Sequence, residues 1–92
     1  MSDTISVELE IINERGLHAR AAASFVKTIA GLNADVQVER LGQVVDGNSI
    51  MGLMMLAAAK GTKIKVSAAG TDAETAIANI TQLVNGRFGE DR

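Results

Sequence analysis

The stretch ISVELEIINERGLHARAAASFVKTIAG, residues 5–31, changes its apolar period once, and that change decides the fold class. Ile5, Val7, Leu9 and Ile11 alternate with Ser6, Glu8 and Glu10, the period of a strand with one wet face. From about Ala19 to Ala30 the apolar residues follow Ala22, Phe25, Val26 and Ile29, the spacing of one helical stripe. Asn13-Glu14-Arg15-Gly16 separates the two patterns, and Gly16 allows the chain to turn. Gly31 stands where a helix stop is expected.

The same reading extends to the rest of the chain. Ala34, Val36 and Val38 alternate with Asp35, Gln37 and Glu39 as a second half-buried strand. Gly42 marks a turn, and Val44-Val45 forms a short third strand ended by Asp46-Gly47-Asn48. Asn48 or Ser49 can cap a second helix, because either side chain accepts from first-turn amides. Its core stripe is expected at Leu53, Leu56 and Ala57, with Met55 added to the core, and Gly61 closes the segment. Ile64, Val66 and Ala68 alternate with Lys63, Lys65 and Ser67 in a fourth strand. Thr71-Asp72-Ala73-Glu74 matches a capping box before a third helix carrying Ala73, Ala76, Ile77, Ile80, Leu83 and Val84. Gly86 ends that helix, and the tail from Arg87 is expected to fray. The order β-α-β-β-α-β-α, four strands and three helices, predicts a two-layer α+β fold with the helices covering one face of the sheet.

Composition narrows the function. The 92 residues make one domain, 1–92, with 47% apolar and 22% charged residues, as in a soluble globular protein. Without cysteine there is no disulfide and no thiolate chemistry, and one histidine leaves no ligand set for zinc. No cofactor is implied. The net charge of −2 and only two aromatics, Phe25 and Phe88, argue against nucleic-acid binding. No apolar run approaches the ~20 residues that span a bilayer. The opening Met-Ser-Asp-Thr lacks the basic and apolar regions of a signal peptide, so the cytosol is the expected compartment.

His18 follows Gly16-Leu17 at the edge of the first helix. Free amides and the positive end of the helix dipole form an anion site there, and Arg20 adds a permanent cation. A neutral imidazole is a good nucleophile toward phosphorus, and these cationic surroundings are expected to keep it neutral. No second acid, base or metal cluster is evident to activate water, so the site suits a phosphoryl relay better than a hydrolase. Alone, a histidine at a helix start is more often a cap or a surface residue.

Two motifs sharpen the reading. Gly16-Leu17-His18-Ala19-Arg20-Ala21-Ala22 resembles the active-site signature of the histidine-containing phosphocarrier protein, HPr, of the bacterial phosphotransferase system. Ser49-Ile50-Met51-Gly52-Leu53-Met54-Met55-Leu56, followed by Ala59-Lys60-Gly61, resembles the second signature of that family. The resemblance covers nearly the whole chain. It implies an open-faced β-sandwich, a four-stranded antiparallel sheet covered on one face by three helices. It implies that His18 accepts a phosphoryl group through Nδ1 from phosphorylated enzyme I and passes it to a histidine of an enzyme IIA protein. Arg20 would assist the phosphoryl group, and Ser49 would be a regulatory phosphorylation site served by an HPr kinase. The family commonly has proline after the arginine, where this chain has Ala21. Val45-Asp46-Gly47, Met54-Met55-Leu56-Ala57-Ala58 and Asn85-Gly86-Arg87-Phe88 look more like the nitrogen-related branch, NPr.

Partner docking is expected on a face beside His18. Leu17, Ala23, Ser24 and Lys27 belong to it, with Ile50, Met51 and Met54 from the second helix, because methionine adapts to more than one partner surface. A monomer keeps that face open. The rival readings are a non-catalytic regulator acting through the methionine patch and a small RNA-binding domain of similar topology. The acidic balance and the scarcity of aromatics weigh against the second.

Overall fold

The computed structural model describes residues 4–92. The signal-peptide reading of the first residues falls mainly on 1–3 and so lies outside the described residues. Four strands, β1 (Ile5–Glu10), β2 (Asp35–Arg40), β3 (Gln43–Asp46) and β4 (Lys63–Ala69), alternate with three α-helices, α1 (Ala19–Ile29), α2 (Ile50–Met55) and α3 (Ala73–Asn85). The sheet runs β1-β4-β2-β3 with every neighbouring pair antiparallel. β1 and β2 are therefore parallel, with β4 between them and α1 as the crossover.

Period-two patterning sets the register. Val7 lies opposite Val66, which lies opposite Val38, and Ile5, Ala68 and Val36 form the next row. The rows of opposite phase bring Glu8, Lys65 and Glu39 together on the open face, where alternating charge across the strands is favourable. Phe25, Leu53, Ile64, Ile80 and the β2 valines fill the core between sheet and helices. α1 packs against both α2 and α3, and its first residues, Ala19 and Arg20, are exposed.

Three local expectations are corrected. Helix α2 ends at Met55, and Ala57 takes a positive φ of 52°, so the chain reverses and Ala58 enters the core in place of exposed Ala57. Met55 is 65% exposed and not core. It lies two residues from buried Leu53, about 200° around the helix axis. The capping box does not form. Asp72 is the N-cap residue of α3, but its Oδ2 accepts the Asn33 backbone N–H at 2.7 Å, while Asn33 Nδ2 donates to Thr71 Oγ1 at 2.8 Å. Those side chains clamp the α1–β2 loop to the start of α3 instead of capping it. Gly70 permits the approach, since a Cβ there would lie 2.6 Å from the Asn33 carbonyl oxygen.

The tail is the largest correction. Beyond Gly86 a short 3₁₀ turn, Arg87–Gly89, buries Phe88, and the Glu14 amide donates to the Arg92 carbonyl at 3.0 Å. An apolar ring between two glycines gives the terminus something to bury, and burial anchors a segment whose composition otherwise reads as loose. The strap lies across the turn that precedes α1.

Candidate functional site

Gly16 builds the site. Its φ is +67°, a region L-residues seldom occupy, and a Cβ would lie 2.5 Å from the Ala58 carbonyl oxygen. The close approach lets Leu17 N–H donate to that same oxygen at 2.9 Å, which pins the loop after α2 beside the turn. Leu17 is consequently buried, at 5% exposure. Its expected place in the docking face is corrected: the side chain supports the turn from within and is not available to a partner.

His18 is the N-cap residue of α1, with extended backbone. Its side chain makes no cap bond, and the first helical bond runs from Ala22 N–H to the His18 carbonyl at 2.8 Å. The amides of Ala19 and Arg20, both exposed residues, are thus left for an outside acceptor, while Ala21 is buried. The ring is part-exposed, with 18% of the side chain accessible. It lines an open depression with Arg15, Leu17 and Ala57, Ala58 and Ala59. Arg20 is exposed, makes no hydrogen bond or ion pair among the described residues, and faces a neighbouring depression lined by Arg15, Phe88 and Glu90. No hydrogen bond or ion pair joins the side chains of the two signature residues, and Arg15 borders both hollows.

The group bonded to the ring is Glu90, whose Oε2 meets His18 Nε2. Its Oε1 accepts from Asn13 Nδ2 at 3.0 Å. Partial burial works to raise the Glu90 pKa. The hydrogen bonds from His18 and Asn13, with the charges of His18 and Arg15, outweigh it and hold the carboxyl below its usual range. An ionised carboxylate only accepts, so Nε2 carries the proton and Nδ1 is the nitrogen left without a partner. The argument for an uncharged ring rested on cations and amides alone. The group bonded to the ring is a carboxylate that sequence reasoning had not seen, and in the neutral ring it fixes the tautomer.

Sequence reasoning missed Glu90 and Asn13. A signal for Glu90 was present: Phe88 is one of only two aromatics in the chain, and an aromatic in a terminal tail calls for burial, which brings Glu90 inward with it. Ser49 is where the motif put it. It is the N-cap residue of α2, and its Oγ accepts the Gly52 amide at 2.9 Å. Around it Ile50, Met51 and Met54 are 42%, 71% and 40% exposed, and Ala23 and Lys27 are exposed on α1 with Ser24 half-buried. No group of three or more potential metal ligands occurs among the described residues, and no helix there is long and apolar enough to cross a membrane.

Comparison with known proteins agrees with this geometry. The family model described as the PTS HPr component phosphorylation site matches residues 5–86. The phosphocarrier protein HPr of Neisseria meningitidis serogroup A is 50% identical over 82 residues, covering 89% of this chain and 92% of that protein. An HPr structure from Thermoanaerobacter tengcongensis superposes with a TM-score of 0.91 at 41% identity, covering 96% of this chain and 99% of that one. HPr from Bacillus anthracis superposes at 0.84 with 34% identity, over 89% of this chain and 98% of its own. A histidine at an uncapped helix start, an open sheet under three helices and these matches together place the chain in the HPr family, the phosphocarrier proteins of the bacterial phosphotransferase system.

Proposed function

We propose that the chain acts as one HPr domain, in which His18 takes a phosphoryl group from the phosphohistidine of enzyme I and hands it to a histidine of an enzyme IIA protein. The Nδ1 lone pair of His18 attacks phosphorus, an N–P bond forms, and the bond to the donor imidazole breaks with its electron pair returning to that ring. The observation that carries the reading is the Glu90 contact at Nε2, because it leaves Nδ1 as the free nucleophile. The incoming phosphoryl oxygens find the amides of Ala19 and Arg20, and the guanidinium of Arg20 is free to swing toward them. Phosphorylation makes the ring more cationic, which the Glu90 carboxylate stabilises. The bond stays labile, so the protein is a carrier and not a turnover enzyme.

The motifs at Ala21, Val45-Asp46-Gly47 and Asn85-Gly86-Arg87-Phe88 favour nitrogen-type regulation over sugar uptake. Docking to both partners is assigned to Ala23, Ser24, Lys27, Ile50, Met51 and Met54, in the cytoplasm and as a monomer. Phosphorylation of Ser49 by an HPr kinase would add about −1.5 to −2 charge beside that face. The exposed methionines also support a second reading, a regulator that binds partners whatever the state of His18.

One experiment separates the two. The chain is incubated with labelled phosphoenolpyruvate and enzyme I of the sugar or the nitrogen type. Acid-labile, base-stable label that disappears in His18→Ala is the expected result. An unlabelled wild-type chain whose partner binding is unchanged in His18→Ala would leave the regulator.

A further inference from the structure

Asn13 is the buried polar residue of the described chain, with no solvent exposure. Its Nδ2 uses both protons, one on the Gly16 carbonyl at 2.8 Å and one on Glu90 Oε1 at 3.0 Å. Its Oδ1 is buried with no partner. An amide oxygen without a partner is unfavourable in the interior, and an apolar side chain of similar size would avoid it. What the amide supplies is therefore its two donors, and both lead to His18. One holds the turn two residues before the imidazole; the other holds the carboxylate on the imidazole's Nε2.

We propose that Asn13 is a positioning residue for phosphoryl acceptance, acting through Glu90: it fixes the carboxylate against His18 so that Nδ1 is presented as the free acceptor. This rests on the phosphocarrier reading and goes one residue beyond it. Glu90 rides on the terminal strap, and Nε2 alone would leave its carboxylate free to rotate about its own axis. A donor on each oxygen fixes that plane, in the way outer partners orient groups that must keep one geometry. The backbone closes the same loop, since Gly16 N–H donates to the Asn13 carbonyl at 3.2 Å. The amide thus joins the turn and the strap, so the height of the imidazole and the position of its carboxylate are set together.

The test uses the full chain with ¹⁵N-labelled histidine and the substitutions Asn13→Ala, Asn13→Ser, Glu90→Ala and the double Asn13→Ala/Glu90→Ala. The ring ¹⁵N shifts report the tautomer, and labelled phosphoryl transfer reports the rate. The expected result for Asn13→Ala is loss of the single Nε2–H tautomer and acceptance slowed about tenfold. Asn13→Ser, which keeps one donor, should recover part of both. In Glu90→Ala the further Asn13→Ala change should no longer alter the tautomer, because the route through the carboxylate is gone, and should slow acceptance by less than it does in the wild-type chain, because only the bond to the Gly16 turn is then lost. The proposal is overturned if Asn13→Ala lowers only the melting temperature, or if its effects on tautomer and rate persist in full without Glu90. Should Asn13→Ala not fold, Asn13→Ser carries the same comparison. The ring shifts need no phosphoryl donor, so they judge Asn13 even were the wild-type chain to take no label.

Discussion

The starts of α1 and α2 are built from similar parts and left in opposite states. At α2, Ser49 turns its own Oγ onto the Gly52 amide and closes the terminus. At α1, His18 occupies the same N-cap position with no side-chain cap, and its ring is held away on Glu90. A closed terminus stabilises its helix, and an open one gives up that stability to keep amides available for an anion. The difference lies in the tertiary partner. Nothing draws Ser49 away from its helix, whereas the strap from the far end of the chain draws the imidazole toward the carboxylate.

The largest break in this comparison is His18→Ala, which should abolish acid-labile labelling altogether while α1 still forms; residual label elsewhere on the chain would show that the open terminus is not the acceptor. Next is Arg20→Ala. Arg20 has no bond to lose in the resting protein, so its removal should slow acceptance by roughly 10²–10³ while leaving stability within about 0.5 kcal/mol. A large drop in melting temperature at unchanged rate would reverse that assignment.

Glu90→Gln sharpens the comparison through pH. The Glu90 carboxyl is held below its usual range in the folded protein. Its contribution to stability is therefore present above the unfolded carboxylate pKa and is lost as pH falls through the lowered folded value. The Gln variant should lack that part of the acid limb in a series of denaturation curves. Superimposable limbs for the two proteins would count against an ionised Glu90 on the ring. The smallest effect is at α2. Ser49→Ala should cost about 1 kcal/mol by chemical denaturation. Ser49→Asp, which keeps a capping oxygen, should leave the melting temperature nearly unchanged and weaken enzyme I docking. Normal docking by that variant would remove Ser49 from the regulatory reading.

Much of the frame was legible because its rules are short-range. The alternation in β1 and β4, the stripe through Phe25 and Ile29, and Ser49 as a cap all depend on residues within about one helical turn or one strand pair. The misreadings share a different cause. Thr71 and Asp72 fit a capping box locally but are taken by Asn33, 38 and 39 positions away. Leu17 looked like a loop residue beside the site and is buried, because Gly16 brings the chain close to Ala58.

The sequence alone determined the strands, the helices and the placing of His18 where α1 begins, since periodicity and glycine position are written in neighbouring residues. Only the tertiary structure decided which ring nitrogen is free. That choice belongs to Glu90, 72 positions from His18, and to Asn13, 77 positions from Glu90. No local pattern names a partner at such range; the burial of Phe88 brings the end of the chain back over its first turn, and the carboxylate arrives with it.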